Sequence, residues 1–495
     1  MRTKRLFPLL LAILLLTGCG SGTVETDTQA PESDTVAATE TTPAETDRSQ
    51  VQDALPELDY GGLSVPILYR GCTADVIEVF AEELTGESVS DAVYNRNASV
   101  SERLNISLEF LPMGTGTADN FPKDAKASIT AGSDDFSIVS WNQFSAVQLC
   151  LENMVMDLQN APYIDLEKPW WNSAYMDVLQ IGDQKRFYLM GDICLNALRV
   201  TAATFFNQSI YSDVFGDHNE LYTLVQEGGW TIDAMREMSE TAYRDVDGNG
   251  ETNPGDVFGI AATTIANTEL LAYGAGLQIV VRDTDGMPKL NLQDEKNFSI
   301  LEKLNELYWN TTGMYTKYGD TDAFNSAVLA NVFAADELLF MPLWLKTCEY
   351  LRDMESAYGI LPYPKYDIEQ AQYISTVQDT ASIFFVPQTC LHRDETCAVL
   401  EAMCAETYRT VTPAYYEVAL KRQYARDDIS ASMIDLIHNT SLTYFGYVYN
   451  YSIGSVGTIM RDVIAKNGSY ASAVASMETK ADTALDKLIE TYIGE

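Results

Sequence analysis

The sequence predicts an α/β fold with a helical C-terminal region, on three observations. Strand-length apolar runs alternate with amphipathic helical stretches through residues 63–141, the order that builds a parallel sheet covered by helices. A second strand-and-helix region spans residues 186–387. From Glu395 onward helical spacing dominates to the C-terminus. The chain has 495 residues, room for two or three domains of roughly 150 residues each. Its hydrophobic content of 46% is ample for a packed core.

The elements follow in order. Leu63 to Arg70 (LSVPILYR) reads as a buried strand, Ser101 to Arg103 close a helix, and Ile106 to Leu111 (ISLEFL) alternates as a second strand. Lys123 to Thr130 reads as a helix stopped at Gly132, and Phe136 to Trp141 (FSIVSW) as a third strand. Trp141 and Asn142 stand at its carboxyl end, where open parallel sheets hold their ligands. Arg186 to Met190 and Ala202 to Asn207 are the next strands. Gly229-Trp230-Thr231 opens a helix with Thr231 as N-cap, Asp233 in its first turn, and Ile232, Met235, Met238 and Ala242 at helical spacing. Residues 297–309 form an amphipathic helix, and residues 324–334 lead into a strand from Leu338 to Pro342, with Trp344 just beyond it. Ile383 to Pro387 is the last strand, and no internal repeat is present.

Ahead of this body, Arg2, Lys4 and Arg5 precede an apolar run from Leu6 to Leu16, followed by Thr17-Gly18-Cys19. That is the charged, apolar, small-residue order of an export signal. It is too short to span a bilayer, which takes roughly 20 residues. Leu16 to Cys19 resembles the lipobox of bacterial lipoproteins. The resemblance implies cleavage before Cys19, acylation of its thiol, and a protein held at the outer face of the cell membrane. Residues 19–59 then read as a lipidated, disordered tether: Gly20 to Asp53 is rich in Ser, Thr, Ala, Glu, Asp and Pro, with Val its only large apolar type.

Charge narrows the partners. Lys and Arg total 32 and Asp and Glu 71, a net charge of −39. That field repels nucleic acid and disfavours anionic ligands, so neutral solutes fit best. Eight cysteines are present, seven without Cys19, and they form no C-x-x-C pair or metal-like cluster. They read as buried thiols acting as small apolar residues.

Two stretches could carry chemistry. Asp245 to Asp256 (DVDGNGETNPGD) places Asp245, Asp247, Asn249, Asn253 and Asp256 at the oxygen-donor positions of an EF-type calcium loop. Gly250 falls at the sharp turn, and Glu251 would offer its backbone carbonyl. The shorter Asp256 at the last position and the missing second helix depart from that pattern; the alternative is a solvated Asp-Gly turn. A bound Ca²⁺ would rivet a helix to a strand. Lys168 to Asn172 (KPWWN) pairs two tryptophans, whose faces either stack on the C–H face of a sugar or pack in the core. Tyr444, Phe445, Tyr447, Tyr449 and Tyr451 crowd one segment that either lines a cleft or fills a core. The three histidines, His218, His392 and His438, lie in no metalloprotease or triad-like setting. No nucleophile elbow or phosphate loop occurs, so the chain is not read as an enzyme. Two carboxylates suffice for a glycosidase, so a surface-anchored glycoside hydrolase stays as an alternative.

The pieces DAVYNRNASVSERLNI (91–106), ITAGSDDFSIV (129–139), KPWWN (168–172), FFNQSIYSDVFG (205–216), GGWTIDAMREM (228–238), the DVDGNG loop followed by FGI, YGILPYPKYDIEQAQY (358–373) and AYYEVALKRQYARDDIS (414–430), in this order, resemble an extracellular solute-binding lipoprotein of a bacterial ABC importer, carbohydrate type. The resemblance implies a two-lobed, periplasmic-binding-protein-like clamp with hinge strands. It puts 60–165 and about 325–390 in one lobe, and about 166–324 and 391–495 in the other. It implies an oligosaccharide ligand, ABC permease partners, and cleft residues Trp141, Asn142, Trp171, Asp192, Trp344 and Asp379. A peptide receptor on the same scaffold is the other alternative.

Overall fold

The computed structural model describes residues 48–72, 77–116, 119–182, 185–263, 266–315, 326–415 and 428–493. The expected export signal, Cys19 and the expected tether up to residue 47 lie outside them.

In chain order the strands are β1 (Leu63–Arg70), β2 (Ile106–Met113), β3 (Ile138–Asn142), β4 (Ala202–Asn207), β5 (Phe258–Ile260), β6 (Val280–Arg282), β7 (Pro288–Leu290), β8 (Leu338–Trp344), β9 (Tyr358–Leu361), β10 (Ser375–Thr376), β11 (Ser382–Phe385) and β12 (Ser441–Leu442). Two four-stranded sheets carry the described fold, ordered β11-β3-β1-β2 and β5-β8-β4-β9. In the first, β1 runs parallel to β2 and β3, with Ile67 opposite both Phe110 and Ile138. The crossover helix Ser88–Leu104 supplies the connection a parallel pair requires. It ends at Asn105, whose left-handed φ of 49° lets its N–H reach the carbonyls of Ser101 and Glu102. β11 closes the far edge of the sheet, antiparallel to β3.

The second sheet is mixed. β8 pairs with β5 in parallel and with β4 antiparallel, and β4 pairs with β9 antiparallel. All seven residues of β8 (LLFMPLW) are buried, so the strand needs a partner on each edge and cover on each face. This corrects the lobe boundaries. Residues 338–361 were expected in the first lobe, but their strands hydrogen-bond into the second sheet. Conversely, the helix Arg393–Glu406, expected in the second lobe, packs beside the helix Ser88–Leu104. The buried Arg96 guanidinium of the latter donates to Thr407 Oγ1 (3.2 Å) and to the carbonyls of Glu78 and Val79. Periodicity predicted β1, β2, β3, β4, β8 and β11 but not the sheet each one joins.

Thr231 caps the helix Ile232–Ala242 as predicted, its hydroxyl accepting from Ala234 N at 3.2 Å. The predicted strand at 186–190 is instead a single bridge, Leu189 opposite Phe384. Among the described residues, two neighbouring segments pass between the sheets. Residues 189–201 and 377–384 run antiparallel, tied at Leu189–Phe384 and Thr201–Val377. Between those ties, Gln378 N donates to Val200 O, and Arg70 Nη2 to Thr380 O.

Residues 48–59, expected in the free tether, are docked on the body. Asp53 supplies the reason: its side chain is 3% exposed and takes paired bonds from Arg103, 2.6 and 2.8 Å long. Cys72, Cys150, Cys194, Cys348, Cys390, Cys397 and Cys404 are all buried thiols. No described helix is long and apolar enough to cross a membrane.

Candidate functional site

Beside the two crossing segments lies a cavity of about 390 Å³, within the range of small-molecule sites. Its walls come from Pro169 to Tyr175, from Met190 to Leu198, from Thr201 and Val377 on the crossings, and from Thr412, His438, Asn439 and Ser441. Two of the predicted cleft residues, Trp171 and Asp192, meet here.

KPWWN becomes a wall because its backbone is stitched to residues 190–192. Asn172 N donates to Met190 O, and Asp192 N to Trp170 O, both at 2.9 Å. Asn172 also caps the helix Ser173–Leu179 through its side chain. Both indoles are tied from behind. Trp170 Nε1 donates to Glu401 Oε1 (3.2 Å) and Trp171 Nε1 to Glu401 Oε2 (2.8 Å), which also accepts from Asp165 N. Glu401 is buried, and burial outweighs these three donors, pushing its carboxyl up to about 7. Trp170 is fully buried and Trp171 nearly so. Both border the cavity all the same.

Asp192 is the acidic group of the wall. Desolvation raises its carboxyl, opposed by His438, by Arg48 (3.8 Å away) and by Thr412. Together the cavity offers an aromatic surface, a carboxylate, an imidazole, hydroxyls and amides. That set suits hydrogen bonding to an uncharged, hydroxyl-rich solute.

The other predicted cleft residues stand nearby but do not line this cavity. Trp141 is fully buried at the end of β3, its ring 5.5 Å from Phe121 and its Nε1 on Asp119 O. Asn142 caps the helix Gln143–Cys150, accepting from Ser145 N. Trp344 ends β8 opposite Ala202, with Lys346 Nζ 5.0 Å from its ring. Its buried Nε1 has no hydrogen-bond partner among the described residues. Asp379 lies in the turn between β10 and β11, and burial pushes its carboxyl up to about 7. Its charge reaches Tyr175, Tyr273, Tyr447 and Tyr451. Tyr175, which lines the cavity, bonds Gln143 Oε1 at 2.5 Å and so links it to the end of β3. In the tyrosine-rich segment, Tyr447 and Tyr449 fill the core whereas Tyr451 is exposed.

Sequence reasoning missed Glu401, Arg48, Thr412 and His438. Each reaches the site from more than 140 residues away from KPWWN or from the supposed tether, and none belongs to a local motif.

The loop 245–256 is closed at its base by a bridge between Arg244 and Val257. Carboxylate oxygens of Asp245, Asp247 and Asp256 approach within 4.8 Å of one another. Asp245 accepts from Gly250 N and Gly248 N, and the first of these chiefly holds its carboxyl below the ordinary range. Asp256 accepts from Asn253 N, Val246 N and the Tyr243 hydroxyl. Carboxylates have about four lone-pair sites each, so these bonds leave capacity for an ion and the donor set fits Ca²⁺. Asn249 Oδ1 accepts from Glu251 N, and Glu251 O from Asn253 Nδ2.

No family model matches the chain, and no curated relative does. Solved structures do. A galacto-N-biose/lacto-N-biose I-binding protein of an ABC transporter from Bifidobacterium longum, in complex with lacto-N-biose, superposes with TM-score 0.57 and 12% identity over 87% of this chain and 98% of that one. M. tuberculosis UspC gives TM-score 0.56 and 13% identity over 85% and 100%. An ABC substrate-binding protein from Listeria monocytogenes in complex with cycloalternan gives 0.53 and 10% over 88% and 99%. The fold is therefore the two-lobed α/β clamp of periplasmic binding proteins, extending over most of the chain.

Proposed function

We propose that this protein is the extracellular substrate-binding subunit of an ABC importer, capturing a neutral oligosaccharide and presenting it to a membrane permease without altering it covalently. The observation that carries the reading is the cavity beside the two chain crossings, where Trp171 and Asp192 converge. The complexes of the like-folded proteins with lacto-N-biose and cycloalternan support a sugar as its occupant. Closure about the crossings would replace the solute's water with ring faces and hydroxyl-seeking side chains. A difference of a few kcal/mol between open and closed forms suffices for solute to tip the balance. The reading includes Trp141, Asn142, Trp344 and Asp379 as further contacts in the closed form.

The test is a panel of oligosaccharides, maltotetraose and lacto-N-biose among them, with melting temperature and product release followed together. A raised melting temperature with no product is expected. Steady release of monosaccharide would overturn the reading in favour of a glycoside hydrolase, and a response to peptides alone would favour a peptide receptor.

Two further parts belong to this proposal. Cys19 carries the lipid anchor, and Cys19→Ser is expected to release the protein from membranes into the medium. Asp245, Asp247, Asn249, Glu251, Asn253 and Asp256 hold a structural Ca²⁺ between the helix Ile232–Ala242 and β5. Chelator is expected to lower the melting temperature by several degrees, and Asp245→Ala to abolish that response. An unchanged melt, with no ion in native mass spectrometry, would remove the ion from the account.

A further inference from the structure

The docked arm, residues 48–59, reaches Asp192 on the cavity wall through Arg48. It is held by contacts that do not involve the cavity: Asp53 to Arg103 and, at 3.4 Å, to Arg409; Arg409 Nη1 to Val51 O (3.2 Å); and Lys168 Nζ to Gln52 O (3.3 Å). The short turn Arg48–Gln50 then presents one side chain inward. The Arg48 guanidinium lies 4.8 Å from the Tyr408 ring centroid, and that ring lies 6.0 Å from Trp170. Arg48 Nη1 is 3.8 Å from Asp192 Oδ2, and neither atom has a hydrogen-bond partner among the described residues. A carboxylate withdrawn from water needs a compensating charge. In a chain of net charge −39 the surrounding field does not provide one.

We propose that the N-terminal arm is part of the solute site and that Arg48 is its specificity-determining residue, neutralising Asp192 from behind so that the cavity takes an uncharged, hydroxyl-bearing solute rather than an amine. This rests on the solute-binding reading above. The groups facing Asp192 are Arg48, His438 and Thr412, with the thiols of Cys194 and Cys404. Burial keeps both thiols protonated, so Arg48 is the permanent cation of the set. Without Arg48 the Asp192 carboxylate faces the cavity without its permanent counter-charge, and an ammonium group becomes the favoured partner.

The experiment compares full-length wild type with Arg48→Ala, using N-acetylglucosamine and glucosamine as matched neutral and cationic probes in calorimetric titrations. The Asp192 carboxyl is followed by carbon NMR in the same samples without sugar. Removing one charge about 4 Å away in a partly screened site is expected to shift the neutral-to-amine affinity ratio toward the amine about tenfold or more, and to raise the Asp192 titration. Asp53→Asn, which loosens the arm but keeps Arg48, is expected to shift both in the same direction by less. An unchanged affinity ratio with an unmoved Asp192 titration would overturn the proposal. If neither monosaccharide binds the wild type, the oligosaccharide panel decides the sugar reading, and the ligand-free titration still decides this one. A rise in Arg48→Ala upholds the arm's place at the cavity, and no rise overturns it.

Discussion

Glu401 is where one side chain sets the geometry of several others. It accepts both indole N–H groups of KPWWN, so Glu401→Leu strands two buried donors. The expected cost is about 2–6 kcal/mol, one to three for each donor, read as a lowered denaturation midpoint. Its titration has a definite sign. The folded-state carboxyl, raised from 4.5 to about 7, binds more protons than the unfolded chain between those values. That contribution to stability is fully present below about 4.5 and is lost as pH rises toward 7. Asp379, raised in the same way, adds to the slope. Glu401→Leu is expected to flatten the stability profile between pH 4.5 and 7, and an equally steep profile in the variant would refute the assignment. At this scale the sequence was half legible. Paired tryptophans after a proline marked a special loop, but the partner that orients them lies 230 residues away, in a helix whose pattern carries no sign of it.

Elements show the opposite balance. β1, β4 and the helix Lys123–Thr130 occupy the spans that periodicity assigns them, because apolar run length and flanking breakers are local properties. The segment 186–190 shows the limit. Its apolar run reads as a strand, yet it makes one bridge before turning at Gly191. Gly191 is there for space: a Cβ would strike the Trp170 carbonyl oxygen and approach Cys404 Sγ and Trp171 Cε3 at 2.9 Å each. Gly191→Ala must push KPWWN off the crossing segment. It is expected to lower the melting temperature and to weaken sugar binding beyond what stability loss alone predicts, as measured by titration at a temperature where the variant is fully folded. Unaltered affinity would mean that the wall is not part of the site.

For the whole molecule, alternation of strands and helices gave the α/β class, and the resemblance gave the clamp. Neither could give sheet membership, because pairing between residues 140 and 384 depends on closures that leave no local trace. The two antiparallel crossings make closure the natural large motion. A saturating oligosaccharide is therefore expected to reduce the radius of gyration measured by small-angle scattering, and no change on saturation would argue against a clamp. The position of β11 also bears on biogenesis. The first sheet begins at residue 63 but gains its outer strand only at Ser382–Phe385, after every strand of the second sheet has been made. A ribosome must deliver more than three quarters of the polypeptide before the first sheet can be completed. That delay would keep the nascent product threadable for the export that the proposed Cys19 anchor requires.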